Sequence, residues 1–86
     1  MEVRLHRTFL KQYERLPAKI KVRVKKRLGI FRLRPFDEIL HNHALTGDWL
    51  GHRSINVTGD FRAIYKPEGD DAGTFVAIGT HSQLYF

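Results

Sequence analysis

The sequence predicts a small α+β domain of order β-α-α-β-β-β, an antiparallel sheet with two N-terminal helices packed on one face. Three observations carry that prediction. An apolar stripe of helical period runs through the segment after Pro17, strand-like alternation replaces it beyond Pro35, and the links between the later strands are short and turn-like. At 86 residues the chain reads as one domain, spanning 1–86, near the lower size limit for folding on hydrophobic burial alone.

Taken in order, Glu2-Val3-Arg4-Leu5-His6 alternates and is short, which predicts a strand. Thr8 can cap a helix running to about Leu16, with Phe9, Tyr13 and Leu16 on one face. Pro17 suits the first turn of a second helix, where its missing N–H costs nothing. In that helix Ile20, Val24, Leu28 and Phe31 form the apolar stripe, and Lys19, Lys21, Arg23, Lys25, Lys26 and Arg27 lie mostly off it. Gly29 weakens the helix locally and Pro35 ends it.

After Pro35, WLGHRSINV, FRAIYK and TFVAIGTH predict three strands rich in β-branched and aromatic residues. Thr58-Gly59-Asp60 and the segment 67–73 connect them as hairpin links, which makes an antiparallel meander. Parity in the middle strand sets Phe61, Ala63 and Tyr65 on one face and Arg62, Ile64 and Lys66 on the other.

The net charge of +6 is unevenly distributed. Residues 1–34 carry twelve Lys and Arg against Glu2 and Glu14, a balance of +10, and residues 35–86 carry a balance of −4. That asymmetry suits a polyanion or an acidic protein partner meeting the basic half. The chain has no cysteine, which removes disulfides and thiolate–metal sites and fits a reducing cytoplasm. No apolar run approaches the roughly 20 residues of a bilayer span, and MEVRLHRTFL lacks a signal-peptide core. The expectation is a soluble intracellular domain with no membrane partner.

The chemistry-bearing residues concentrate after His43. Cutting RNA without a metal needs a base for the ribose 2′-OH, an acid for the departing 5′-oxygen, and cations for the charge on phosphorus. His43 and His81 suit the first two roles, Arg62 the third, and Asp60 adds a carboxylate. Each also has a structural reading: His43 as a loop histidine bonding backbone, His81 as an ordinary exposed residue at a strand end, Asp60 as a turn former, Arg62 as a partner of Asp37 or Glu38; His6, His41 and His52 read as structural. His41-Asn42-His43 has the spacing of a metal pair, but without cysteine or an acidic cluster no metal or cofactor is expected. Trp49 reads as core, Tyr85 as a ring able to stack on a base, and Phe86 as packing.

Three motifs in order, HALTGDWLGHR, GDFRAIYK and GTHSQLYF, make the last 45 or so residues resemble RelE-superfamily toxins of type II toxin–antitoxin systems, in their YafQ-like branch. The first 40 match in helix layout and basicity. The resemblance implies a compact sheet with two N-terminal helices, ribosome-dependent cleavage of mRNA, and inhibition by a cognate antitoxin. By position it makes His43, Asp60, Arg62 and His81 the catalytic candidates. Arg53, Asn56, Phe61 and Tyr85 become candidates for RNA contact, with Lys25, Lys26 and Arg27 on ribosomal RNA. Asn56 stands where the closest pattern has another histidine, and asparagine cannot titrate. A catalytically weakened module that only binds antitoxin or RNA is the alternative that Asn56 keeps open.

Overall fold

A computed structural model describes residues 1–85; the packing reading of Phe86 lies outside the described residues. Its elements are β1 (Glu2–Leu5), α1 (Arg7–Glu14), α2 (Ala18–Leu33), β2 (His43–Ala44), β3 (Arg53–Asn56), β4 (Phe61–Glu68), β5 (Ala72–Thr80) and α3 (His81–Leu84). Single 3-10 turns occupy Glu38–Leu40 and Gly47–Trp49. The five strands form one sheet in the order β1-β5-β4-β3-β2.

The α+β class, the two N-terminal helices and the β3-β4-β5 meander agree with the sequence prediction. Several details differ, among them the β4–β5 link, which shrinks from 67–73 to 69–71 because Pro67 pairs with Gly73 and Glu68 with Ala72. The cap of α1 is His6, whose Nδ1 accepts the Thr8 N–H at 3.1 Å, and not Thr8. The strand expected from Trp49 is confined to Arg53–Asn56, because Gly47 and Gly51 take φ of +63° and +89° and turn the chain instead. A two-residue strand β2 pairs with β3, and a terminal helix α3 follows β5. The sheet is also not wholly antiparallel: β1 pairs parallel with β5, a long-range pairing that alternation in β1 does not specify.

The core forms where the helical stripe meets one sheet face. Phe9, Val24, Leu28 and Phe31 pack with Ile55, Val57, Ala63, Tyr65, Phe75 and Ile78, and Ile20 and Phe61 pack at the margin. Phe31 sits edge-on to Tyr65 and Phe75, with centroids 4.8 and 5.1 Å away. Gly73 permits this close approach, since a Cβ there would lie 2.9 Å from the Tyr65 ring and 3.3 Å from that of Phe31.

Ile78 and Phe75 are three residues apart, yet both face the helices. A bulge explains it: Ile64 pairs with Ala77 and Tyr65 with Phe75, so Val76 has no partner and the parity resets. Beyond Phe75 no strand among the described residues lies beside the outer edge of β5. Two glutamines cover that edge, Gln12 Oε1 accepting the Ile78 N–H at 2.9 Å and Gln83 Oε1 the Thr80 N–H at 2.8 Å.

Ser54, Ile64 and Ala77 are buried but alternate with core residues along their strands, so they lie on the opposite face. Trp49 and α3 lie over that face, tied by the Trp49 Nε1–H to the Leu84 carbonyl at 2.9 Å. The parity read from β4 holds, with Ala63 and Tyr65 in the core and Arg62 on the other side. Among the described residues no helix is long and apolar enough to cross a membrane.

Candidate active site

Sheet register builds the site. Asn56 pairs with Arg62 and Arg62 with Gly79, so the side chains of β3 and β4 stand beside one another on the face away from the helices. One strand further out His43 pairs with Ser54, and two residues beyond Gly79 comes His81 at the start of α3. The result is an open cleft of about 410 Å³ lined by His41, His43, Leu45, Asn56, Arg62, His81 and Tyr85. A larger cavity of about 580 Å³ is also lined by Tyr85, but its lining includes no histidine or arginine, and those side chains gather in the smaller cleft.

The loop that carries the first two histidines is held by Asn42. Its amide donates to the Pro35 carbonyl at 2.7 Å and to the Tyr65 hydroxyl at 2.9 Å, while its Oδ1 accepts from Arg53 Nε at 2.8 Å. Arg27 Nη1 donates from α2 to the Ile39 carbonyl at 2.7 Å and to the Asn56 carbonyl at 3.5 Å. Burial there, with Arg23 nearby, lowers the Arg27 pKa from its ordinary value. His43 Nδ1 lies 2.8 Å from the His41 carbonyl. A carbonyl only accepts, so Nδ1 carries the hydrogen, and in the neutral ring Nε2 is the open acceptor.

Among the described residues, Arg62 spends a single nitrogen on the protein. Its Nη1 donates to the carbonyls of Thr58, Gly59 and Phe61 at 3.0, 3.1 and 3.1 Å, which clamps the guanidinium over the β3–β4 turn. His81 is set by its main chain, its N–H donating to the Asp60 carbonyl at 3.0 Å, and its ring lies 4.8 Å from that of Tyr85. Thr80 and Gln83 form a reciprocal capping box that starts α3 at that histidine.

The cleft therefore brings together five of the sequence candidates: His43, Asn56, Arg62, His81 and Tyr85. It does not include the others. The exposed Asp60 belongs to a turn in which Thr58 Oγ1 accepts the Asp60 and Phe61 N–H groups at 3.3 and 3.1 Å, and it reaches the site through its carbonyl. Phe61 packs at the core margin, and Arg53 stacks on Phe36 with its guanidinium carbon 5.2 Å from the ring centre. Lys25 and Lys26 are exposed on α2, whereas Arg27 is the half-buried strut just described. Arg62 pairs with neither Asp37 nor Glu38; Asp37 bonds Arg34 at 2.9 Å. His41, read as structural, lines the cleft. Its nearness to His43 in sequence was the available signal; the left-handed turn at His41 that closes the 3-10 turn was not legible from spacing.

Asp37 caps the 3-10 turn that leads to His41, accepting the Ile39 N–H at 3.0 Å. The Arg34 guanidinium, and then this backbone donor, hold its carboxyl below the usual carboxylate range. A depressed folded-state value contributes stability above the unfolded pKa of about 3.9, lost as pH falls through the folded one. Urea midpoints between pH 5 and 2 are expected to fall less steeply for Asp37→Asn than for the native chain; parallel curves would remove Asp37 from the acid response.

The sequence matches, over residues 1–86, the family described as the bacterial toxin of type II toxin–antitoxin systems, YafQ. No curated protein matches it. Among solved structures it is similar to YafQ from E. coli strain BL21(DE3), with a TM-score of 0.82 at 22% identity, covering 99% of this chain and 98% of that one. The E. coli DinJ–YafQ toxin–antitoxin complex gives 0.79 at 24% identity, with 99% and 97% covered. A YoeB/ParE toxin from Agrobacterium tumefaciens gives 0.77 at 20% identity, with 94% and 99% covered. The architecture is thus that of the RelE-like toxin fold. The chain belongs to the YafQ family of bacterial type II toxins.

Proposed function

We propose that this toxin cleaves mRNA in the ribosome through the ribose 2′-OH, and that a cognate antitoxin inhibits it. The observation that supports the reading best is the convergence of His43, His81 and Arg62, far apart in sequence, on one cleft with Asn56 and Tyr85. His43 Nε2 takes the 2′-OH proton, O2′ attacks phosphorus, the P–O5′ bond breaks, and His81 returns a proton to the departing O5′. The products are a 2′,3′-cyclic phosphate and a 5′-OH end. Arg62, with its free donors, neutralises charge on the phosphoryl oxygens. Asn56 donates to the same phosphate without titrating, and Tyr85 stacks on a neighbouring base. Among the described residues the cleft lining has no carboxylate, so these residues offer nitrogen bases and a guanidinium in place of the oxygen ligands that magnesium prefers.

Lys25 and Lys26 supply sequence-independent contact with ribosomal RNA or with acidic residues of the antitoxin. Ribosome dependence places the action in the cytoplasm. The alternative, a module that binds antitoxin or RNA without cutting, rests on the neutral Asn56. Primer extension on mRNA after induced expression separates the two: discrete cuts within codons are expected, absent when the cleaved nucleotide carries a 2′-O-methyl. Cutting of that methylated substrate, or a 5′-phosphate product, would point to an activated water instead.

A further inference from the structure

We propose that the imidazole of His41 contacts the RNA phosphate next to the scissile one, as a third substrate-binding histidine of the cleft. This rests on the ribonuclease reading above. His41 is the one non-glycine residue among those described with a positive φ, at 47°, and it closes the 3-10 turn Glu38–Leu40. An L-residue there costs roughly 1–2 kcal/mol, which glycine avoids and asparagine reduces. The fold uses only the main chain of residue 41: its N–H donates to the Glu38 carbonyl at 3.1 Å, and its carbonyl takes His43 Nδ1 at 2.8 Å. Any residue supplies those two contacts. The side chain is exposed and makes no hydrogen bond or ring contact among the described residues, so packing and capping leave an imidazole unexplained.

The cleft explains it. Lining the same 410 Å³ space as His41 are His43 from β2, Asn56 from β3, Arg62 from β4, and His81 and Tyr85 from the C-terminal segment. Three imidazoles and a guanidinium, with no carboxylate among the described lining residues, form a site for more than one anionic charge. A scissile phosphodiester brings one, which Arg62 meets. The adjoining phosphate of an extended strand brings the next, and His41 is the exposed donor of the cleft that remains for it.

The decisive comparison is His41→Asn, which keeps the carbonyl and suits the left-handed backbone but cannot carry charge, with His41→Gly as a second variant of the same backbone. The probe is a 2′-O-methyl RNA trinucleotide, which binds without being cut. Both variants are expected to melt at or above the native midpoint. Their affinity for the trinucleotide should fall about 3- to 10-fold, with the logarithmic salt slope shallower by about 0.7, one single-strand phosphate contact. In cleavage assays KM should rise with kcat nearly kept. Unchanged affinity and salt slope in both variants overturn the proposal, as does a native chain whose His41 ring resonance ignores the trinucleotide. If binding weakens as expected but the native chain cuts no mRNA, the phosphate contact stands and the cleavage reading falls.

Discussion

His81→Ala is expected to lower mRNA cleavage by about 10²–10⁴-fold, the usual contribution of a positioned general acid, and to abolish toxicity on induction. The fold should survive the change. His81 is exposed, and the structural work at that position is done by its main-chain N–H on the Asp60 carbonyl and by the Thr80–Gln83 capping box. What the side chain adds is a ring at the mouth of the cleft, 4.8 Å from that of Tyr85. His81→Gln separates proton transfer from shape, because an amide fills similar space and donates hydrogen bonds but does not titrate. Both variants should keep their thermal midpoint and antitoxin binding while losing cleavage together. Native cleavage rates in a folded Ala variant would remove His81 from the chemistry.

Phe31→Ala is expected to cost about 3–5 kcal/mol, the range for a large aromatic deleted from a packed core. For a domain whose whole stability is about 5–15 kcal/mol, that is a substantial share. Phe31 is fully buried, it joins α2 to the sheet through edge contacts with Tyr65 and Phe75, and its ring lies where a Cβ on Gly73 would nearly touch it. The chain has no disulfide to compensate. The damage should reach the cleft as well, since the Tyr65 hydroxyl accepts a 2.9 Å hydrogen bond from the Asn42 amide and Asn42 holds the His41–His43 loop. Urea unfolding measures the first effect, and amide exchange at residues 40–44 the second. A loss below about 1 kcal/mol, or exchange in that loop unchanged, would show that the aromatic cluster does not brace the site.

Local pattern was enough for much of this protein. The Ile20–Val24–Leu28–Phe31 stripe, the end of α2 before Pro35 and the alternation through β4 each depend on neighbours a few residues away, and each stands in the structure as read. Pro17 precedes the helix as its cap and does not lie within its first turn. The residue types needed for acid–base chemistry were also legible, and His43, Arg62 and His81 do line one cleft. What the chain alone left undecided depends on contacts between distant residues. The parallel pairing of β1 with β5, the bulge at Val76 and the return of α3 over Gly79 come from packing the sheet against helices and its own edge. Arg27 became a strut to the Ile39 and Asn56 carbonyls, and Asp60 a turn residue that holds His81 by its carbonyl. His41 entered the cleft because Asn42, 23 residues from Tyr65 in sequence, is tied to it in space. Periodicity reports which face of an element is buried; which side chains meet across elements is settled by register and by the long-range hydrogen bonds that lock each loop in place.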